Sequence, residues 1–313
     1  MNQRHEYPCF TPTMMAAVPY RDMDRAVDII LKCFPEAPCL PVMTRSVRWL
    51  LEGIPCLVMD RERRIIYFDL STEREPEILE FYDRYEAQDL DHFATTVDTA
   101  PFFYRMMERI AAQRPENLKW VAFHTAGPIL LGDTLKQADG TPAIHNETLR
   151  DILIKGMNMK ARWLETKIRS VIPDVRIIAD LPETTLVNFT SSGGTGSREE
   201  IIEAVNLSFT GLESLTWVHC CANIDWSLRL SFTRNSNACV LFTILIVRPC
   251  SASTHTEVSS NTDSEFSVTL FSDIFEPLCV PQIRFIASLH GLFINVNCSE
   301  KICELFQLRS EDF

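Results

Sequence analysis

A histidine and a cysteine two residues apart follow one strongly apolar stretch and could together bind a metal ion. The stretch runs from Leu215 to Val218, and His219-Cys220-Cys221 follows directly. Side chains at positions i and i+2 of a β-strand leave the same face, so His219 and Cys221 could hold one ion between them. Imidazole nitrogen and thiolate sulfur are ligands that suit zinc. The same residues also fit a simple buried strand, because cysteine is often only a small apolar core residue.

The composition limits the size class and the partners of the chain. Its 313 residues predict one large domain with an insertion, or one and a half domains, and 46% apolar residues are enough for a sizeable core. The net charge of -12 argues against nucleic acid and against an anionic membrane surface, because both attract a basic face. Residues 1–10 contain no apolar signal-peptide core, so the eleven cysteines predict a cytoplasmic protein with thiols that are reduced or bind metal.

Several segments have the apolar spacing and the end signals of helices. The predicted helices are 23–34, 75–87, 93–112, 147–170 and 197 to about 207. Asp22 and Asn146 are in position to cap two of them. Ser197 and Glu200 have the spacing of a capping box, which predicts where the last of these helices begins.

Short apolar runs bounded by turn residues predict the strands. They are Thr13–Val18, Cys39–Met43, Leu118–Phe123, Val175–Ala179 and Leu215–Val218. Two further β-rich runs within 53–70 flank a charged turn and predict a hairpin insertion. Because strands that are apolar throughout alternate with helices, the sequence predicts an α/β fold with a parallel sheet. Candidate site residues directly after strands favour the (β/α)8 TIM-barrel type, with a doubly wound sheet as the alternative.

Four turns that follow predicted strands carry motifs that together resemble a known superfamily. They are Ala16-Ala-Val-Pro19, Thr125-Ala-Gly-Pro128, Asp180-Leu-Pro182 and His219-Cys-Cys-Ala-Asn-Ile-Asp225-Trp-Ser227. The last is similar to a pattern His-Cys-Cys-Gly-Asn-x-Asp-Trp-Ser. These motifs resemble the superfamily of cobalamin-independent methionine synthase and uroporphyrinogen decarboxylase, and the 53–69 hairpin resembles uncharacterised members. The resemblance covers residues 12 to about 229.

The resemblance implies a zinc-dependent methyltransferase that activates a thiol for methyl transfer. In that branch His-x-Cys after the fifth strand supplies two zinc ligands, here His219 and Cys221, and later strands supply a glutamate and a cysteine. Zinc would hold the thiol as a thiolate, because a bound metal lowers the pKa of a thiol. Asp180 and Asp225 would line the pocket as catalytic residues, and the partners would be small molecules, a thiol and a methyl donor. A uroporphyrinogen-type decarboxylase is the alternative, although Arg21 is the only basic residue near the first predicted strand.

The resemblance stops near residue 230, and residues 231–313 differ in character. This segment is rich in serine, threonine and cysteine, and its only glycine is Gly291. Within it, Ala238–Val247 has the pattern of a strand and Pro281–Phe293 that of a helix. We therefore predict a partial barrel over 1–230, disrupted after its fifth strand, and an atypical tail over 231–313, with a frameshift as the hypothesis. An inactive truncated barrel is then a further alternative.

Overall fold

The computed structural model of the protein describes most of the chain up to residue 219. The described ranges are 11–14, 22–42, 47–60, 62–63, 65–183 and 197–219, with three later strands at 239–242, 285–289 and 292–296. The chain forms two compact units. The larger unit is Pro12–Leu241, and the smaller one combines Met1–Thr11 with Phe242–Phe313.

Helices and strands alternate through the larger unit. The helices are α1 (Met23–Cys33), α2 (Arg48–Leu51), α3 (Glu75–Glu86), α4 (Pro101–Gln113), α5 (Pro128–Thr134), α6 (Glu147–Val171) and α7 (Arg198–Ser208). The strands of the whole chain are β1 (Leu57–Asp60), β2 (Ile65–Phe68), β3 (Trp120–His124), β4 (Lys136–Gln137), β5 (Arg176–Pro182), β6 (Leu215–His219), β7 (Cys239–Phe242), β8 (Phe285–Leu289) and β9 (Leu292–Val296). Three short 3-10 helices, at Thr72–Arg74, Leu90–Phe93 and Ala143–His145, complete the described elements.

The main sheet has the strand order β3-β5-β6-β7, which is also their order in the chain. The pairs β3–β5 and β5–β6 are parallel. Residues 36–40 run along the other edge of β3, where the Ala122 N–H donates to the Pro38 carbonyl at 3.0 Å and the Leu40 N–H donates to the Ala122 carbonyl at 2.8 Å. The α/β class with a parallel sheet is therefore confirmed.

Both faces of this sheet are buried, which explains why its strands are apolar throughout. On one face Val121, Phe123, Ile177 and Ala179 join the large core formed with the helices. On the other face Trp120, Ala122 and Ile178 pack with Ala37 and Cys39. Parallel strands covered on both sides lose the alternation of polar and apolar residues that a half-exposed strand shows.

The end signals of three helices act as predicted. The Asp22 carboxylate accepts a hydrogen bond from the Arg25 N–H at 3.1 Å, and the Asn146 side chain accepts one from the Leu149 N–H at 3.1 Å. Ser197 and Glu200 form both hydrogen bonds of the capping box at the start of α7. Each cap satisfies an N–H group that has no partner within the first helical turn.

The prediction of one helix over 93–112 is wrong at its beginning, because α4 starts only at Pro101. A threonine-rich turn precedes it, and the Glu52 carboxylate fixes that turn. Glu52 accepts hydrogen bonds from the Thr96 N–H at 2.9 Å and from the Thr95 and Thr99 hydroxyls at 3.0 and 2.9 Å. These hydrogen bonds hold the turn in a non-helical conformation, because they compete with the backbone hydrogen bonds of a helix. The helix then begins at Pro101, a residue that fits the first helical turn.

The predicted hairpin is confirmed. Strands β1 and β2 are antiparallel with Leu57 opposite Phe68, and β2 also pairs in parallel with β4. The prediction of a regular strand at Cys39–Met43 is wrong, because its described part forms isolated bridges at Cys39 and Val42, and Cys39 is bridged in parallel to Ala122. Of the predicted strand Thr13–Val18, residues 15–18 lie outside the described part of the chain.

In the predicted tail, 231–313, the structure describes three strands. β7 agrees with the strand predicted within Ala238–Val247. The helix predicted over Pro281–Phe293 is wrong, because β8 and β9 pair as antiparallel strands with Leu289 opposite Leu292. Only His290-Gly291 separates them in sequence, and a two-residue interval with a glycine is typical of a hairpin. Among the described helices, none combines the length and the apolar character that crossing a bilayer requires.

Candidate functional site

A histidine and an aspartate meet at the carboxyl ends of two neighbouring parallel strands. His124 is the last residue of β3 and lies directly opposite Asp180 of β5. The His124 Nδ1 atom is 2.5 Å from the Asp180 Oδ2 atom, and the two residues are only 9% and 4% exposed. A short bond between two ionisable groups in a buried setting fixes the orientation of the imidazole ring.

A buried thiol lies against the same histidine. Cys39 is fully buried and lies opposite Ala122, two residues before His124 on β3. Its side chain is a hydrogen-bond partner of the His124 imidazole. The Cys39 Sγ atom also lies 3.6 Å from the Leu40 carbonyl oxygen. Three strand-edge segments thus bring a thiol, an imidazole and a carboxylate together.

The partners of His124 decide its protonation. Burial alone lowers the pKa of His124, but the neighbouring Cys39 and Asp180 raise it well above the usual value for histidine. An opposite charge in contact can outweigh desolvation when little water competes with it. The imidazole is therefore able to carry a proton at this end of the sheet at neutral pH.

The turn after β3 is tied to the end of β5. The Thr125 N–H donates to the Asp180 carbonyl at 3.0 Å, and the Gly127 N–H donates to the Pro182 carbonyl at 2.9 Å. These bonds continue the parallel ladder past the end of β3. They hold His124 and Asp180 side by side with the backbone rather than leaving the pair to side-chain packing alone.

A second buried carboxyl group, Glu183, follows directly after β5. It accepts hydrogen bonds from the Ile129 N–H at 3.1 Å and from the Leu130 N–H at 2.7 Å, in the first turn of α5. Burial raises the pKa of Glu183 to about 8, against the lowering effect of these two donors. A Cβ atom on Gly127 would lie 1.9 Å from the Glu183 Cδ atom, so the turn leaves room for this carboxyl group only with glycine there.

The predicted site residues fall into two groups. Asp180 is buried at the carboxyl end of β5, and His219 ends β6 with its backbone opposite Pro182. The structure thus brings Asp180 and the backbone of His219 to the same end of adjacent strands. Cys221 and Asp225 lie outside the described residues, and so does the side chain of His219. Within the described part of the chain, no group of three or more His, Cys, Asp or Glu residues could hold a metal ion.

Three residues of this region were missed by sequence reasoning. His124 had a usable signal, because it directly follows one predicted strand as Asp180 follows the next, and the ends of parallel strands meet at one edge. Cys39 had no such signal, because it begins its predicted strand, Cys39–Met43, rather than following it. Glu183 had none, since glutamate is rarely buried and nothing local marks it as such.

Comparisons with known proteins provide no counterpart for this arrangement. No protein-family model matches the chain, and neither a curated protein nor a solved structure matches it significantly. The chemistry of the site must therefore be argued from the residues of this chain.

Proposed function

We propose that the larger unit is a partial barrel of the (β/α)8 TIM-barrel type, disrupted after its fifth strand, as the resemblance of its motifs implies. The proposal is supported by residues 36–40, β3, β5 and β6, which lie side by side in their chain order with helices between them. In such a barrel the active site lies at the carboxyl ends of the strands. His124, Asp180 and the backbone of His219 are all at that end of the sheet.

For this site we propose the transfer of a methyl group from a small donor to a small thiol substrate. The observation that carries the proposal is the contact between His124 and Asp180, because a thiol must lose its proton before it attacks a carbon atom. Asp180 orients the imidazole through Nδ1. The imidazole can then hold or release a proton at Nε2.

His219 and Cys221 are the residues that would hold zinc, and Asp225 in the same segment would line the pocket together with Asp180. An imidazole and a thiolate fit the donor chemistry of zinc. Bound zinc would keep a substrate thiol in its thiolate form at neutral pH. Because zinc sites usually have four ligands, the remaining donors must come from other residues or from the substrate itself.

The metal content of the purified full chain tests this proposal. We expect stoichiometric zinc in the wild-type protein and its loss in a Cys221→Ser variant. Cys33→Ser is the matched control, because Cys33 is a half-exposed cysteine at the end of α1 and is expected to leave the zinc content unchanged. Thermal unfolding of all three proteins shows whether a loss of zinc follows from the ligand or from the fold.

Two results would contradict the proposal. One is wild-type protein that unfolds cooperatively but contains no zinc after purification with zinc supplied. The other is a Cys221→Ser variant with undiminished zinc. If a folded, zinc-bound Asp180→Asn variant methylates the thiol at the wild-type rate, Asp180 has no role in the reaction. The assignment of zinc to His219 and Cys221 would still stand.

A further inference from the structure

We propose that Cys39 is a nucleophilic thiol, with His124 as its proton acceptor and Asp180 as the orienting carboxylate, which reacts covalently with a small uncharged carbon electrophile. The inference goes beyond the proposed methyl transfer, because it assigns the nucleophile to the protein itself. It requires no zinc. The two proposals can therefore fail separately.

The geometry has the order of groups that covalent catalysis uses. The Cys39 thiol contacts the His124 side chain, and His124 Nδ1 contacts Asp180 Oδ2 at 2.5 Å. A nucleophile, a base within hydrogen-bonding reach and a third group that orients the base form the recurring signature of an activated side chain. The backbone fixes all three groups, since Cys39 is bridged to Ala122 and His124 lies opposite Asp180.

The surroundings of Cys39 restrict what can reach it. The buried apolar residues that form one cluster with Cys39 are Ala37, Trp120, Ala122 and Ile178. Asp180 already supplies one negative charge, and a charged reagent would lose its hydration on entering this setting. His124, at 9% exposure, is the most accessible of the three groups. These features favour a small, uncharged electrophile that enters beside the imidazole.

The proposed step is a substitution at carbon. In the proposed reactive state His124 already holds the thiol proton, so the Cys39 sulfur attacks the carbon atom of the electrophile as a thiolate. The new sulfur–carbon bond forms while the bond from that carbon to its leaving group breaks, and the leaving group departs with the electron pair. The proton held on His124 is then available to the leaving group. No oxidant or reductant is needed.

The chain contains a matched control in Cys56. This thiol is also fully buried, but its Sγ atom lies 3.6 Å from the Arg74 carbonyl, and its charged neighbours are Glu77, Arg74 and Asp69 rather than a histidine. Burial and the nearby Glu77 carboxylate raise the pKa of the Cys56 thiol. Cys39 and Cys56 are therefore two thiols with the same exposed fraction but different neighbours. Cys39 has an imidazole beside it, and Cys56 has a carboxylate.

Alkylation of the native full chain by limiting iodoacetamide, followed by peptide mass spectrometry, tests the inference. We expect Cys39 to be labelled at least about tenfold faster than Cys56, given that an acid–base partner typically contributes 10²–10⁴-fold. His124→Asn should reduce the Cys39 rate about tenfold or more and leave the Cys56 rate unchanged. Asp180→Asn should reduce it less, and Cys221→Ser should not reduce it.

Equal labelling of Cys39 and Cys56 in the wild-type protein would overturn the inference, because both thiols would then react only when the fold opens. This result does not depend on whether any variant folds. An unchanged Cys39 rate in a His124→Asn protein whose Cys56 rate is also unchanged would overturn it as well. Loss of Cys39 labelling on removal of Cys221 would instead tie the reaction to zinc and remove the independent role.

Discussion

The protein contains two buried bases whose pKa values are shifted in opposite directions. They are His124 at the ends of the strands and Lys160 in helix α6. The pKa of His124 is raised well above its usual value, whereas burial lowers the pKa of Lys160 from 10.5 to about 7. Both residues are buried, at 9% and 0% exposure. Burial therefore does not by itself decide whether a base in this protein carries a charge.

The difference lies in the acidic groups that each base meets, which are the Cys39 thiol and the Asp180 carboxylate for His124 but only the Glu52 carboxylate for Lys160. His124 has Asp180 at 2.5 Å. Lys160 donates to the Ala94 carbonyl at 3.2 Å, and its nearest acidic influence, Glu52, is occupied by the threonine-rich turn before α4. A carboxylate that already accepts several hydrogen bonds at short range stabilises a more distant ammonium only weakly. The strand-end region thus stabilises the protonated form of His124. In the α6 region, burial disfavours the protonated form of Lys160.

Replacing Lys160 with methionine should give the largest change. The difference between an ordinary lysine and one with a pKa of about 7 corresponds to about 5 kcal/mol. Below that pH the folded protein bears this cost in full. Between pH 7 and 10.5 the unfolded chain binds more protons than the folded one, so wild-type stability should rise with pH.

Urea denaturation at about pH 6 and about pH 9 measures this effect. Lys160→Met should raise the free energy of unfolding by up to about 5 kcal/mol at the lower pH and flatten its rise with pH. Lys155→Met is the control on the same helix. The Lys155 Nζ atom contacts the Asp151 Oδ2 atom at 2.6 Å and is partly exposed, so its loss should cost below about 1 kcal/mol. Equal effects of the two variants on the free energy of unfolding would show that burying the Lys160 ammonium does not destabilise the folded protein.

Replacing Asp180 with alanine should give the next largest change. Removing one partner of a buried ionic pair typically costs about 3–5 kcal/mol, because the other partner stays buried without its counter-charge. His124 has a raised folded pKa, so its stabilising contribution is complete below the unfolded pKa of histidine, about 6.5, and is lost as pH rises through the folded value.

The loss in Asp180→Ala should therefore be greatest near pH 6 and shrink at higher pH. Nuclear magnetic resonance titration of the imidazole gives a second measurement, in which the pKa of His124 should fall in the variant. Asp180→Asn keeps a hydrogen-bond acceptor, so its stability and its His124 pKa should lie between those of the wild-type protein and of Asp180→Ala. A His124 that titrates identically in all three proteins would mean that His124 and Lys160 differ for another reason.

A third substitution tests whether the stability of the strand-end region also depends on close packing. Gly127 has a φ of -69°, which any residue adopts, so only the space taken by Glu183 requires glycine there. Gly127→Ala should destabilise the protein by about 1–3 kcal/mol through overpacking. In an Glu183→Ala background the same substitution should cost clearly less, which a double-mutant cycle in urea would measure. Additive effects would place the clash elsewhere.

Local signals in the sequence were enough to predict most of the elements. Caps such as Asp22 and Asn146 act within three residues, and the apolar runs of β3, β5 and β6 reflect a sheet buried on both faces. The start of α4 was not predictable, because the turn before it is fixed by Glu52, more than forty residues away in the chain. The β8–β9 hairpin was mistaken for a helix because a short apolar run fits both structures.

The sequence by itself determined that this protein is built from buried parallel strands and helices, and that polar residues lie at or near the carboxyl ends of those strands. Asp180 was recognisable in this way. Only the tertiary structure decided what Asp180 contacts, because the register of β3 against β5 places His124 opposite it across 56 positions of sequence. It also decided that Cys39 joins them and that Lys160 has no comparable partner among its described contacts. The protonation of a buried group depends on distances to groups from other segments, and local sequence does not encode those distances.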